Sequence, residues 1–233
     1  MSEPGRLSAR LQAIARLIPP GQVVADVGTD HGLLPVALLR QGLAAGVIAI
    51  DRRPAPLAVA AANVAAAGGS DRIQLRLGDG LSALRPGEVS VVVLAGLGCR
   101  TICRLIGAAA GQELGLRWLV AQPERDPWLL RAFLARNGWR IEDEALVADG
   151  GRLYTALRAI RDDDDSWWQG WDAAERLLGR PNLRRGGPAL TALVAHHRTW
   201  IAAEVTALRQ HGGDEATLAE RQSWLAALSA LDL

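Results

Sequence analysis

Acidic residues at three places spaced through the first third of the chain, two of the places glycine-containing turns, carry the strongest chemical signal. Asp26-Val27-Gly28-Thr29-Asp30-His31-Gly32 follows the apolar run from Val23, Asp51 closes the run Val47 to Ile50, and Gly78-Asp79-Gly80 closes the run Ile73 to Leu77. Singly, each has an ordinary explanation. Asp51 could cap a helix starting near Pro54, Asp79 could sit in a plain turn, and Asp30 could cap the helix that follows it. At three successive strand ends, however, they describe a nucleoside-binding cleft. The Gly28 turn lets backbone approach a ligand, Asp51 stands where an acid holds ribose hydroxyls, and Asp79 could accept from an adenine amino group.

Charge selects the ligand. A dinucleotide fingerprint, G-x-G-x-x-G, would need glycine where Asp30 stands, and a pyrophosphate beside that carboxylate would be repelled. The methionine end of S-adenosyl-L-methionine carries an ammonium and a sulfonium, so it is the expected cofactor rather than NAD. Asp30 could also stabilise a cation developing on a substrate, or accept a proton from it. His31, in the same loop, could serve as a base, orient Asp30 or touch the cofactor. After the fourth apolar run, Ala95-Gly96-Leu97-Gly98-Cys99 leaves room for a flat substrate edge. The Asn/Asp-Pro-Pro-aromatic segment common in enzymes that methylate exocyclic amines is absent there. Cys99 could be a nucleophile or, as free cysteines more often are, a small buried hydrophobe. No metal-ligand cluster is visible, and methyl transfer needs none.

The positioning elements follow from hydrophobic periodicity. Helical spacing marks Arg6 to Ile18, Leu33 to Arg40, Pro54 to Ala67, Thr101 to Ala110 and Trp128 to Arg136. Between them lie apolar strands at 23–27, 47–50, 73–77, 89–94 and 118–121. Such alternation predicts an α/β fold with a parallel sheet covered on both faces. Trp139 to Val147 and Arg152 to Ile160 flank Asp149-Gly150-Gly151, a hairpin signal. A Rossmann-like sheet finished by an antiparallel hairpin is the build of class I methyltransferases, and nicotinamide-binding domains do not normally end this way. The expected division is residues 1–161 for this domain, 162–170 for a linker, and 171–233 for a helical, coiled-coil-like appendage. In the appendage, 171–178, 189–210 and 216–231 read as helices, the last two as an antiparallel pair.

Composition narrows the class further. The 233 residues are 49% hydrophobic and 22% charged, enough for a sizeable core. No apolar run of about 18 residues suggests a membrane span, and the N-terminus lacks the apolar stretch of a signal peptide, so the expected setting is cytoplasmic. Cys99 and Cys103, four apart, are not expected to form a disulfide. The net charge is only +1, but Asp162 to Asp165 hide an excess of arginine elsewhere. Between Arg176 and Ala203 there are arginines and no acidic residue, a weak pointer to a polyanionic partner.

Five segments together resemble a known family: Leu7-Ser8-x-Arg10-Leu11, Asp26 to Pro35, Gly78-Asp79-Gly80-Leu81, Ala95-Gly96-Leu97-Gly98 and Gln122-Pro123. Their order and spacing resemble the bacterial tRNA (adenine-22-N1)-methyltransferases of the TrmK type, over nearly the whole chain. The D-x-G-x-D-H-x-x-L-P stretch is the most specific part. The resemblance implies S-adenosyl-L-methionine as cofactor, tRNA as substrate and Asp30 as the catalytic residue. The expected cofactor contacts are Asp26, Gly28, His31, Asp51, Arg52, Gly78, Asp79, Gly80, Ala95 and Gly96. There are departures: the family's A-G-M-G-G is Ala95-Gly96-Leu97-Gly98-Cys99, its Q-P-N is Gln122-Pro123-Glu124, and Leu33 replaces a tyrosine.

Arginines Arg6, Arg10 and Arg16 of the first helix and Arg180, Arg184, Arg185 and Arg198 of the appendage are the expected tRNA contacts, positioning phosphate without reading sequence. Solvated surface charge is the plainer alternative for any one of them. Trp167, Trp168 and Trp171 could stack on bases or pack the linker against the first domain. A monomer without metal is expected. Two alternatives stay open: an enzyme of the same fold acting on another RNA, a protein or a small molecule, and a non-catalytic relative used for binding.

Overall fold

The computed structural model describes residues 7–109, 114–212 and 214–232, so Arg6 lies outside the described residues. The chain divides into two units, Met1–Asp165 and Ser166–Leu233.

The first unit opens with α1 (Ala9–Leu17), whose Ser8 hydroxyl caps it by accepting from Leu11 N. There follow β1 (Gln22–Val27), α2 (Leu33–Arg40), β2 (Ala44–Asp51), α3 (Pro54–Ala66) and β3 (Ile73–Leu77). A short 3-10 turn at Gly80–Ala83 leads to β4 (Val91–Leu97), α4 (Cys99–Ala109), β5 (Trp118–Pro123), α5 (Pro127–Arg136), β6 (Trp139–Asp149) and β7 (Arg152–Arg161). The seven strands form one sheet in the order β3-β2-β1-β4-β5-β7-β6. Strands β1 to β5 pair in parallel, and β7 runs antiparallel to both β5 and β6. The parallel centre is buried on both faces, as its unbroken Val, Ile and Ala runs require. Gly150 and Gly151, both at positive φ, make the two-residue hairpin turn whose twist matches its strands.

Most strand bounds differ from the sequence reading by one to three residues, and two of the differences shape the site. Strand β2 begins at Ala44, because the Ala-Ala-Gly segment pairs with Gln22 onward although it carries little periodicity of its own. Strand β4 runs on to Leu97, past the expected Leu94, with a register irregularity between Ala95 and Leu97. Gly96 takes φ +68 there, a bulge that turns the strand end toward the cleft.

The second unit holds α6 (Ser166–Gln169), α7 (Ala173–Leu178), α8 (Arg180–Arg185), α9 (Pro188–His211) and α10 (Glu215–Ser229). Helix α6 falls inside the expected linker. Helix α8 was not expected either, since Arg-Pro-Asn-Leu-Arg-Arg has no apolar period. Asp172 and Glu175 form a reciprocal capping box on α7. Helices α9 and α10 pair antiparallel, with Arg221 of one bonded to Glu204 of the other at 2.9 Å. Trp167, Trp168 and Trp171 stack on one another at 5.1–5.7 Å between ring centres. No helix among the described residues is long and apolar enough to cross a membrane.

Candidate active site

Strand order reverses beside β1, whose neighbours are β2 and β4, and a cleft opens at the carboxyl ends of these strands, where α/β sheets bind ligands. It encloses about 740 Å³, the size of a small-molecule site. Its lining includes all ten expected cofactor contacts and Asp30.

The loop after β1 is shaped by backbone. Gly28 N and Thr29 N both donate to Ile50 O, at 2.8 and 3.0 Å, folding the loop over the end of β2. Gly28 takes φ +80, a conformation that L side chains resist. Asp30 also takes positive φ, +52, as does Asp126 in the loop after β5. These are the only two such non-glycine positions among the described residues, and both lie in loops at strand carboxyl ends. Backbone strain at such places is characteristic of sites that position a functional group.

Asp51 is the brace of this region. Its Oδ2 accepts from Asp30 N at 3.2 Å and its Oδ1 from Arg53 N at 2.9 Å. It does not cap α3 through the helix's own first-turn donors, because the N-cap position belongs to Arg53. A carboxylate has about four lone-pair directions, so acceptor capacity remains for a ribose. Asp30 does not cap α2, whose N-cap is Gly32. Its side chain is 59% exposed, with His31 Nε2 at 3.8 Å and Arg53 Nη2 at 3.7 Å. The carboxylate is therefore held near a guanidinium and an imidazole but not consumed by them.

Beneath the loop lies Asp26, which is buried. Burial pushes its carboxyl up to about 6, and the neighbouring Asp51 charge adds to the shift. The buried Thr29 hydroxyl has no hydrogen-bond partner. On the far wall, Gly78 and Gly80 leave space that no other residue could. A Cβ on Gly78 would lie 2.5 Å from Ala83 Cβ, and one on Gly80, at φ +62, would overlap Leu105 Cδ2. Gly78→Ala should therefore displace the Asp79 turn, costing about 1–3 kcal/mol of stability and weakening ligand binding. Thermal unfolding with and without S-adenosylhomocysteine measures both, and an unchanged ligand-induced shift would refute the role of this wall.

Sequence reasoning missed part of the site. Thr101, Arg104 and Leu105 also line the cleft. Their i, i+3, i+4 spacing on α4 was a readable signal of one shared face. Gln122 was visible only as half of a motif. It is fully buried, and its Oε1 accepts from Arg10 Nη1 at 2.6 Å and from Gly96 N at 3.1 Å. Arg10 is thus turned inward along the cleft wall. Cys99 is buried, with its Sγ 4.0 Å from that of Cys103, and both thiols are free. Its contact with Cys103 and its burial push the Cys99 thiol well up, the wrong direction for a nucleophile.

The other expected tRNA contacts divide. Arg16, Arg184 and Arg185 are exposed. Arg180 pairs with Glu175 and donates to Gly170 O. Arg198 donates to the carbonyls of Leu228 and Leu231, at 3.1 and 3.0 Å, closing the end of α10.

The cleft suits a cationic nucleoside better than a pyrophosphate. Its buried groups are the carboxylates of Asp26 and Asp51 and the unpartnered Thr29 hydroxyl, and Gly28 gives close backbone approach. With the 3-2-1-4-5-7-6 sheet, this defines a class I S-adenosylmethionine-dependent methyltransferase.

Comparison with known proteins narrows the class. A methyltransferase-domain family model matches residues 7–157. A tRNA (adenine(22)-N(1))-methyltransferase of Bacillus subtilis (strain 168) is 31% identical over 180 residues, covering 77% of this chain and 76% of the relative. The crystal structure of the B. subtilis m1A22 tRNA methyltransferase TrmK superposes with a TM-score of 0.85 at 27% identity, over 96% of this chain and 97% of that one. Streptococcus pneumoniae Sp1610, crystallised with S-adenosyl-L-methionine, gives 0.81 at 26% identity over 96% and 99%. The chain belongs to the tRNA (adenine(22)-N(1))-methyltransferase family.

Proposed function

We propose that the protein transfers a methyl group from S-adenosyl-L-methionine to N1 of an adenine in tRNA, at position 22. The observation that carries this reading is the exposed Asp30 carboxylate, on a loop whose main chain Asp51 holds, at the lip of an acid-floored cleft. When bound, the cofactor supplies an electrophilic methyl group on a sulfonium centre. Asp26, Gly28, His31, Asp51, Arg52, Gly78, Asp79, Gly80, Ala95 and Gly96 would hold it, with Asp51 toward the ribose and Asp79 toward the adenine amino group. Adenine N1 lies on the Watson–Crick edge, so the target base must be unpaired or flipped before it reaches the cleft. Its ring becomes cationic as the N1–carbon bond forms. Asp30 stabilises that charge or accepts the proton released from the neighbouring amino group. Positioning by the surrounding walls supplies much of the remaining rate.

Methyl transfer from labelled S-adenosyl-L-methionine to unmodified tRNA, with the product nucleoside identified by mass spectrometry, tests this directly. Formation of 1-methyladenosine is expected. Cofactor binding with no labelled tRNA would remove the substrate assignment and leave only the fold class.

Asp26 adds a pH signature. Its carboxyl sits at about 6 rather than 3.8, so the ionised form is disfavoured in the folded protein. The free protein accordingly loses stability from this group as pH rises from 3.8 to about 6. A cationic ligand favours the ionised form, so affinity should be full above that value and fall as pH drops below it, by up to about tenfold per unit. Calorimetric titration with S-adenosyl-L-methionine should show this slope in the wild type and a flat profile in Asp26→Asn. Identical profiles would exclude Asp26 from the binding set.

The tRNA body would be gripped by exposed arginines, Arg16 on α1 and Arg184 and Arg185 on α8 among them. The division into a catalytic domain at 1–161, a linker at 162–170 and a helical tRNA-gripping domain at 171–233 fits this reading. It is favoured as a cytoplasmic, monomeric enzyme acting without a metal. Among the described residues, no group of three or more His, Cys, Asp or Glu side chains could hold one.

A further inference from the structure

We infer that Glu124 is the residue that selects adenine, by accepting a hydrogen bond from the exocyclic amino group beside N1. The inference rests on the adenine-N1 reading above and deepens it. Glu124 follows β5, and its backbone N donates to Leu97 O at 2.9 Å, tying it to the substrate-side wall of the cleft. Its Oε1 lies 3.9 Å from where a Cβ on Gly96 would stand, and Arg10 Nη1 lies 3.2 Å from the same point, so the carboxylate stands beside two residues that line the cleft. Two guanidiniums flank it: Arg10 Nη1 is 3.7 Å from Oε1, and Arg152 Nη1 is 3.8 Å from Oε2. Both distances are too long for hydrogen bonds, so the arginines flank the carboxylate while its lone pairs stay available. Arg10 is itself locked by Gln122, and both arginines lie over the ring of Tyr154, at 5.5 and 5.3 Å. The result is a braced acceptor beside the Gly96 edge of the cleft.

Its chemistry distinguishes the purines. Adenine presents an amino donor at C6, and guanine presents a carbonyl acceptor there. A carboxylate bonds the first and repels the second. An amide, which donates as well as accepts, would discriminate less.

The test is a cycle of enzyme and substrate changes. Methylation is measured on tRNA transcripts carrying either adenine or purine, which lacks the amino group, at the target position, with wild type and with Glu124→Ala and Glu124→Gln. Loss of the amino group also changes N1 basicity, but equally for every enzyme form, so that effect cancels in the ratio. Removing the amino group should cost the wild type about 10- to 100-fold more in kcat/KM than it costs Glu124→Ala, with Glu124→Gln intermediate. Equal losses in all three overturn the inference. Binding of S-adenosylhomocysteine should be unchanged in both variants, showing that the fold survives. If the wild type methylates no tRNA adenine, the underlying reading falls and the inference with it, an outcome distinct from equal losses in an active enzyme.

Discussion

Replacing Asp30 with asparagine should lower methyl-transfer turnover by about 10²- to 10³-fold while leaving S-adenosylhomocysteine affinity within a few-fold. The substitution is unusually clean here because of the backbone. Asp30 sits at φ +52, a region where asparagine and aspartate are the best tolerated of the side chains other than glycine. Asparagine thus preserves the loop and removes only the charge. Asp30→Ala would add backbone strain of about 1 kcal/mol and confuse a lost charge with a distorted loop. The bond from Asp30 N to Asp51 involves the main chain, so the cofactor side of the site should survive either change. An Asp30→Asn enzyme with full turnover would show that neither role operates.

Breaking the ion pair between Arg131 and Glu144 should be the most damaging single change outside the cleft. Arg131 Nε lies 2.6 Å from Glu144 Oε1, and both side chains are completely buried between α5 and β6. A buried pair contributes little net stability compared with apolar side chains of the same shape, because two charges have been taken out of water. Losing one partner is different, since the other keeps its buried charge without the opposite charge that faced it. Arg131→Met or Glu144→Gln should each cost about 3–5 kcal/mol, a fall in unfolding temperature of about 6–20 °C for a domain of this size. The double change Arg131→Met with Glu144→Leu should recover most of that loss. Thermal unfolding of the three variants decides the matter: a double variant no better than the worse single one would mean that the cost comes from packing, not from charge.

What was legible in the sequence was whatever neighbouring residues settle among themselves. Periodicity marked the five parallel strands and their helices because alternating burial is written at intervals of two or three to four residues. Asp149-Gly150-Gly151 marked the hairpin because its turn needs positive φ at adjacent positions. Gly28, Asp51 and Asp79 marked the cleft because a parallel sheet delivers every such strand end to one edge. The tertiary structure alone decided where the long side chains go. Arg10 reads as a surface cation on an amphipathic helix, yet it turns inward to Gln122, 112 residues away. Arg198 reads as part of a basic stretch, yet it closes the carbonyls at the end of α10. Arg131 reads as a solvated helix residue and is completely buried. A flexible charged side chain can satisfy itself with water, with phosphate or with an internal partner, and local sequence does not distinguish these outcomes. The fold does, by bringing an acceptor within reach and removing the water that would have competed for it.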